Sequence, residues 1–163
     1  MTKATIRTNY GNVTIQLHDD RVPETVSHFL ALCNDGFYDG VIFHRVIPGF
    51  IIQAGGYQTG MAKIIATDSV VNEAKSAASN TRGTVAMARL QQPDSATTQF
   101  FINLADNSSL DYKGDQNAGY CVFGEVVEGM ETVDAIAAVE TGRRGMHLDV
   151  PVSEVVIEGV DVA

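Results

Sequence analysis

Apolar and polar positions alternate from the start of the chain. Ala4 and Ile6, then Val13, Ile15 and Leu17, are each flanked by polar residues, and Asn9-Tyr10-Gly11-Asn12 separates the two runs. Period-two alternation on both sides of a turn-rich tetrapeptide predicts a β-hairpin, with Gly11 free to take positive φ. The period then changes. Val26, Phe29, Leu30 and Cys33 fall at i, i+3, i+4 and i+7, one face of a helix. Pro23 suits the first turn of that helix, where its missing N–H would be unpaired anyway, and Asn34-Asp35-Gly36 ends it.

Residues 41–56 read as two strands bent at Pro48-Gly49. Residues 57–83 have little periodicity, and stretches of that length without regular structure are often functional. Residues 84–89 and 98–104 read as strands. In the second, Phe100, Ile102 and Leu104 share one face, and Gln99, Phe101 and Asn103 share the other. Residues 105–119 have a loop composition, and 120–127 read as a strand. Met130, Val133, Ile136 and Ala137 form the stripe of a second helix, with Gly142 just beyond it, and a strand over 154–161 closes the chain. Many strands with two separated helices predict a β-barrel or a β-sandwich with helical covers.

Composition narrows the function. The 163 residues suit one domain spanning 1–163, and a chain of this size buries roughly 70% of its unfolded surface without help from metal or disulfide. The formal net charge of −9 argues against nucleic acid, whose affinity comes from Lys and Arg on phosphates. Cys33 and Cys121 form no CxxC pair and are expected to be reduced, buried thiols. Residues 1–9 lack the hydrophobic run of a signal peptide, and no stretch approaches the roughly 18 apolar residues of a membrane span. A cytoplasmic monomer is the expectation. His18, His28, His44 and His147 have no ligand spacing, so no metal is expected. GxSxG, HExxH, Walker and GxGxxG motifs are all absent. Any catalysis here must need little machinery, with neither a covalent nucleophile nor a cofactor.

One long motif remains. Residues 43–56 read Phe43-His44-Arg45-Val46-Ile47-Pro48-Gly49-Phe50-Ile51-Ile52-Gln53-Ala54-Gly55-Gly56, which resembles the cyclophilin signature FHRxIPGFxxQxG over its whole length. Gly83 to Arg89 resembles the family's G-x-x-x-M-A segment, and Ser95 through Gln99-Phe100-Phe101-Ile102 its S-x-x-x-QFFI segment. Gly119 to Val126 resembles its VFG-x-V strand. Order and spacing agree from about residue 3 to 161, and the variant is similar to the small bacterial type. The resemblance implies a closed eight-stranded antiparallel β-barrel capped by two α-helices, with a groove on its outer surface. It also implies peptidyl-prolyl cis–trans isomerase activity on proline-containing peptides and flexible protein segments, in aid of protein folding.

That reaction suits the residues. Rotation about an X–Pro bond faces a barrier of about 18–20 kcal/mol, and uncatalysed exchange takes tens to hundreds of seconds. Reaching milliseconds requires roughly 5–7 kcal/mol of preferential binding to the twisted amide. A twisted amide leaves a lone pair on the prolyl nitrogen, and Arg45 supplies a permanent cation with several rigid donors for it. By resemblance, Phe50, Ile51, Phe101 and Leu110 build the slot for the proline ring. Gln53 and Gln99 orient Arg45 and hold the substrate backbone. The backbone of Ala88 and Arg89 pairs with the residue before proline, and His44 and Tyr120 border the groove. Phe101 has independent support, since Phe100 and Ile102 on the core face would turn it outward. Arg45 and Gln53 carry the catalytic assignment.

The sequence departs from the family at Arg89, where many eukaryotic members have Asn, at Tyr120, where many have His, and at Ser109, where the family has Trp, or Phe in some bacterial members. The Ser109 departure implies weakened affinity for cyclosporin, the inhibitor associated with that Trp. Two other readings compete. One is a proline-peptide binding module with the same groove and little catalysis. The other is a lipocalin-like barrel with a ligand in its lumen, which the large apolar faces argue against.

Overall fold

The computed structural model describes residues 2–65 and 68–163. Met1, Ala66 and Thr67 lie outside them, so the readings of residues 1–9 and of the 57–83 stretch are followed on the remaining positions. Lys3–Thr8 (β1) and Gly11–Leu17 (β2) form the predicted hairpin, with Ala4 opposite Ile15 and Ile6 opposite Val13. Gly11 takes φ +129°, and a Cβ there would stand 2.7 Å from Thr132 Oγ1, so conformation and space both demand glycine. Helix α1 spans Pro23–Asn34. Strands Val41–Ile47 (β3), Ile51–Gln58 (β4), Ala62–Lys63 (β5), Thr84–Met87 (β6), Phe100–Asn103 (β7) and Val122–Glu128 (β8) follow. Helix α2 spans Met130–Ala137, and strands Thr141–Arg144 (β9), His147–Pro151 (β10) and Ile157–Val162 (β11) complete the chain.

Eight strands pair antiparallel in the order β11-β1-β2-β8-β6-β7-β4-β3, and β5 extends one end of β4. The sheet curls until β3 returns to β11. The expected closed barrel needs correction at this seam. Among the described residues the two edges are joined by one bridge, Ile42 with Val156, and by the bonds Gly40 N–H to Ile157 O (2.8 Å) and Phe43 N–H to Val155 O (2.9 Å). The chain bends at Val152 and Ser153 and joins β11 only at Ile157, so no ladder runs along this seam. The barrel is therefore nearly closed.

The interior is filled. Phe29, Phe43, Phe100 and Phe123 are fully buried among Ile6, Ile15, Leu17, Ile52, Met87 and Ile102. Phe29, from α1, meets Tyr38, Phe100 and Phe123 with ring centroids 5.5, 5.9 and 4.9 Å apart. Val133 and Ile136 bring α2 into the same core. An interior packed with aromatic and branched side chains excludes the lipocalin-like reading.

Two departures from the expected elements have local causes. The β9–β10 hairpin was not foreseen, because within 141–151 only Val150 and Pro151 are buried and no alternation marks it. The last strand starts at Ile157 rather than 154, because Val156 is held from both its backbone groups by Asn9. Among its described residues the 57–83 stretch does carry little regular structure: the end of β4, β5, and 3-10 turns over Thr59–Met61 and Ala74–Ser76. No helix among the described residues is long and apolar enough to cross a membrane.

That stretch also anchors α1. Val22, at the N-cap, offers no side-chain acceptor, and Glu73, 48 residues beyond Thr25, supplies one. Its Oε1 accepts from the Thr25 N–H (2.7 Å) and the Thr25 hydroxyl (2.7 Å). The carboxylate satisfies otherwise unpaired N-terminal donors and favours the positive end of the helix dipole. Glu73→Ala should cost about 1–2 kcal/mol in urea unfolding, with Glu73→Gln losing less. Equal stability of all three proteins would contradict this capping role.

Candidate active site

A break in strand register decides where the signature side chains point. Phe43 pairs with Ala54 and Arg45 with Gln53, so His44 is an extra residue with no partner on β4. Such a bulge puts two neighbouring residues on one side of the sheet. Phe43 and Val46 face the core, whereas His44 and Arg45 both lie on the outside. The register continues across the sheet. Arg45 stands opposite Gln53, Gln53 opposite Phe101, and Phe101 opposite Ala86, one outward row across β3, β4, β7 and β6. Two interstrand spacings separate the Arg45 backbone from that of Phe101, about 10 Å, within reach of an arginine side chain and an intervening ligand.

Two amides tie the row together. Arg45 Nη1 donates to Gln53 Oε1 (3.2 Å), and Gln53 Nε2 donates to Gln99 Oε1 (2.8 Å). Gln99 gains its place from a missing side chain. A Cβ on Gly56 would fall 2.6 Å from the Gln99 amide carbon and nitrogen, so the paired glycines of the signature make room for the relay.

Beside the row lies an apolar cluster separate from the barrel core. Ile51, Ala86, Phe101 and Val122 form its floor, and Phe50, Ala88, Leu110 and Tyr120 are half-buried around it. Phe101 points outward as expected, yet is only 3% exposed because these neighbours wall it in. Tyr120 meets Phe101 edge-on at 5.8 Å, and the Arg89 guanidinium lies 4.5 Å from the Tyr120 ring centre. Arg89 is fixed there by bonds from Nε to Gly119 O (2.9 Å) and from Nη1 to Leu90 O (2.9 Å) and Gln91 O (3.2 Å). The Ala88 N–H donates to Gln99 O (3.0 Å). Ser109 is exposed on the short turn that carries Leu110. A cavity of about 720 Å³ opens on the other side of Gln53 and Gln99, with Ala88 and Arg89 in its wall.

Sequence reasoning missed the polar scaffold under the cluster. Buried Asn103 donates to Asn80 Oδ1 (3.0 Å) and Thr84 Oγ1 (2.9 Å), and Asn107 donates to Phe50 O (3.0 Å) and Asn103 Oδ1 (2.9 Å). The Asn80 amide is shared among Asp111 Oδ1 (3.0 Å), Leu110 O and Tyr120 O (both 3.3 Å). Phe50, Leu110 and Tyr120 are thus all held through their backbones. Burial disfavours the Asp111 charge, but bonds from the Ser79 hydroxyl and from Asn80 outweigh it and hold the pKa below the ordinary range. Asn103 shares a strand face with Gln99 and Phe101, which was the available signal.

His44 has different neighbours. Its ring lies 4.7 Å from Tyr57, with His147 5.0 Å beyond, and it is buried with no bond to Nδ1 among the described residues. Burial, then the positive fields of His147 and Arg45, push its pKa down to about 4. The imidazole is neutral at physiological pH, which leaves Arg45 as the charged member of the bulge. Cys33 and Cys121 are free and buried, and burial pushes their thiols up to about 12 and about 11, so neither is a nucleophile.

Comparison with known proteins gives the family of the chain. The pattern of the cyclophilin type peptidyl-prolyl cis-trans isomerase/CLD family matches residues 3–162. Peptidyl-prolyl cis-trans isomerase B of Escherichia coli is 53% identical over 161 residues, covering 98% of both chains. The peptidyl-prolyl cis-trans isomerase cyp18 of Streptomyces antibioticus is 45% identical, with 99% of each chain covered. A Cryptosporidium parvum cyclophilin type peptidyl-prolyl cis-trans isomerase superposes with a TM-score of 0.78 at 26% identity, covering 99% of this chain and 97% of that one. The same enzyme crystallised in the presence of the dipeptide Ala-Pro gives the same score. The chain belongs to the cyclophilin-type peptidyl-prolyl cis–trans isomerase family and is an enzyme of that class.

His44 sets an acid limit on stability. Its folded pKa of about 4 lies below the 6.5 of a free histidine, so the unfolded chain binds more protons between those values. Stability is retained above pH 6.5, falls as pH drops from 6.5 to 4, and loses nothing more from this group below 4. The full loss is roughly 3 kcal/mol. Urea unfolding across this window should show the slope in the wild type and a flatter profile in His44→Gln. Equal slopes would contradict it.

Proposed function

We propose that Arg45 lowers the barrier of X–Pro rotation by donating a hydrogen bond to the prolyl nitrogen as the amide twists, while the apolar cluster grips the ring. In the planar amide that nitrogen's lone pair is delocalised and accepts poorly. In the twisted amide it is localised and basic. A donor fixed beside it therefore binds the transition state better than either ground state, the requirement for catalysis without bond cleavage. The single observation that carries the reading is the row Arg45–Gln53–Phe101, which sets a tethered cation beside a ring-sized apolar surface on one sheet face.

Each further residue has a place in this scheme. Gln53 and Gln99 hold the guanidinium so that no reorganisation is needed at the transition state. Phe50, Ile51, Phe101 and Leu110 receive the proline ring, and Tyr120 closes one side. The backbone of the Ala88–Arg89 segment pairs with the residue before proline. His44 supports Tyr57 from behind and transfers no proton, as the reaction requires none. The substrates are proline-containing peptides and unfolded or flexible protein segments, in keeping with the Ala-Pro dipeptide used with the Cryptosporidium relative. The protein acts as a monomeric single domain in the cytoplasm, where it assists protein folding.

Arg45→Lys and Arg45→Ala separate catalysis from mere peptide binding. Lysine keeps the charge but not the planar donor fork. NMR exchange spectroscopy on an Ala-Pro peptide should show roughly a hundredfold or greater loss of kcat/KM for Arg45→Ala, the scale of one lost transition-state donor. Arg45→Lys should fall between it and the wild type, with peptide affinity little changed in both. An unchanged Arg45→Ala rate would remove the guanidinium from the mechanism. A wild type that binds the peptide without exchanging it would favour the binding module.

Ser109 leaves the turn beside Leu110 without a large aromatic surface. Cyclosporin should inhibit only weakly, with affinity restored towards the nanomolar range by Ser109→Trp. Nanomolar inhibition of the wild type would contradict this.

A further inference from the structure

The β9–β10 hairpin forms a two-stranded sheet of its own and, among the described residues, pairs with no strand of the barrel. Val150 and Pro151 bury its base. Two side chains tie down its outer half. His147 and Arg144 stand opposite each other, so both leave the same face. The His147 ring meets Tyr57, and the ring of His44 lies behind Tyr57. Arg144 Nη1 donates to Glu154 Oε2 (3.3 Å), and the same oxygen accepts the Gly60 N–H (2.7 Å), two residues beyond the end of β4. Glu154 thus bridges the hairpin to the turn that follows Tyr57. Its side chain is 27% exposed, against 51% for Asp134 and 65% for Asp161 in the other arginine–carboxylate pairs among the described residues, so solvent weakens this contact least. Backbone strain marks both ends of the bridge. Met61 (φ +61°) and Asp149 (φ +60°) are the non-glycine residues at positive φ among those described, one beside Gly60 and the other on β10. Such conformations persist where the surroundings impose them.

Resting on the assignment of Arg45 to the twisted amide, we propose that Glu154 is a positioning residue for the reaction, closing the hairpin over Tyr57 and His44 and so fixing the bulge that aims Arg45. His44 Nδ1 has no partner among the described residues, so ring packing holds the imidazole in place. Tyr57 covers His44, and His147 covers Tyr57. Loss of the carboxylate frees the outer half of the hairpin, then the two rings beneath it, then the backbone of His44. Arg45 is the next residue, and a single exposed bond of 3.2 Å to Gln53 is left to hold its aim. The apolar cluster that receives the proline ring contains none of these groups. Slackening the bridge therefore weakens binding of the twisted amide and spares binding of the planar peptide.

The test measures kcat by NMR exchange spectroscopy and affinity by amide-shift titration with an Ala-Pro peptide, for Glu154→Ala, Glu154→Gln and Asp134→Ala, at a temperature where each is fully folded. Asp134→Ala breaks an ion pair far from the bulge and serves as the control. In Glu154→Ala kcat should fall about three- to tenfold with affinity within twofold, and the Tyr57 and His44 ring signals should move. Glu154→Gln keeps an acceptor for the Gly60 N–H and should recover part of the loss. Asp134→Ala should keep the wild-type kcat and ring signals. A kcat of Glu154→Ala within twofold of wild type, a loss matched by Asp134→Ala, an equal loss of affinity, or unmoved ring signals would each overturn the proposal. If Glu154→Ala does not fold, Glu154→Gln decides: kcat at least twofold down with moved ring signals supports the positioning role, and a wild-type kcat overturns it. An Arg45→Ala protein that exchanges as fast as wild type would instead overturn the mechanism, and the ring signals would still show whether Glu154 holds the bulge.

Discussion

The direction of the Arg45 guanidinium depends on one residue that has no partner. Without the extra position at His44, strict alternation from Val46 would turn His44 into the barrel core and Phe43 outward. With it, Phe43 keeps its place in the aromatic core while Arg45 stays on the surface facing Gln53. The same strand lies at the seam of the barrel, where it forms no ladder with β11 among the described residues. The buried imidazole beside it stays neutral, so the guanidinium charge is not diluted by a second titrating cation.

Orientation is then built from amides rather than ions. A carboxylate partner would pull the Arg45 charge away from a ligand, whereas Gln53 and Gln99 fix the side chain and leave its charge available. The relay depends on the bare backbone at Gly56. The apolar cluster is held the same way, with Asn80, Asn103 and Asn107 gripping the backbones of Phe50, Leu110 and Tyr120. Fully bonded buried polar groups of this kind favour one arrangement, because any slip leaves a donor unpaired. A reaction that breaks no covalent bond gains most from such rigidity.

Much of this was legible in the residues. Alternation gave the β1–β2 hairpin, the 3.6 period gave both helices, and the opposite faces of β7 separated Phe100 from Phe101. Periodicity could not choose a barrel over a sandwich, since both alternate in the same way; the resemblance made that choice. The β9–β10 hairpin stayed hidden because it buries almost nothing, and burial is what writes a pattern into a strand. The Asn80–Asn103–Asn107 scaffold and the Glu73 cap were hidden for another reason. They are contacts between segments distant in sequence, made by residues whose types are equally common in loops.

The central claim is that a tethered guanidinium and a proline-sized apolar surface act on one amide. A crystal structure of this chain with an Ala-Pro peptide tests it most directly. The account predicts the proline ring against Phe101 and Leu110, with an Arg45 nitrogen within about 3.5 Å of the prolyl nitrogen or its carbonyl neighbour. A ring seated elsewhere, or an Arg45 head group turned away from the bound amide, would contradict it.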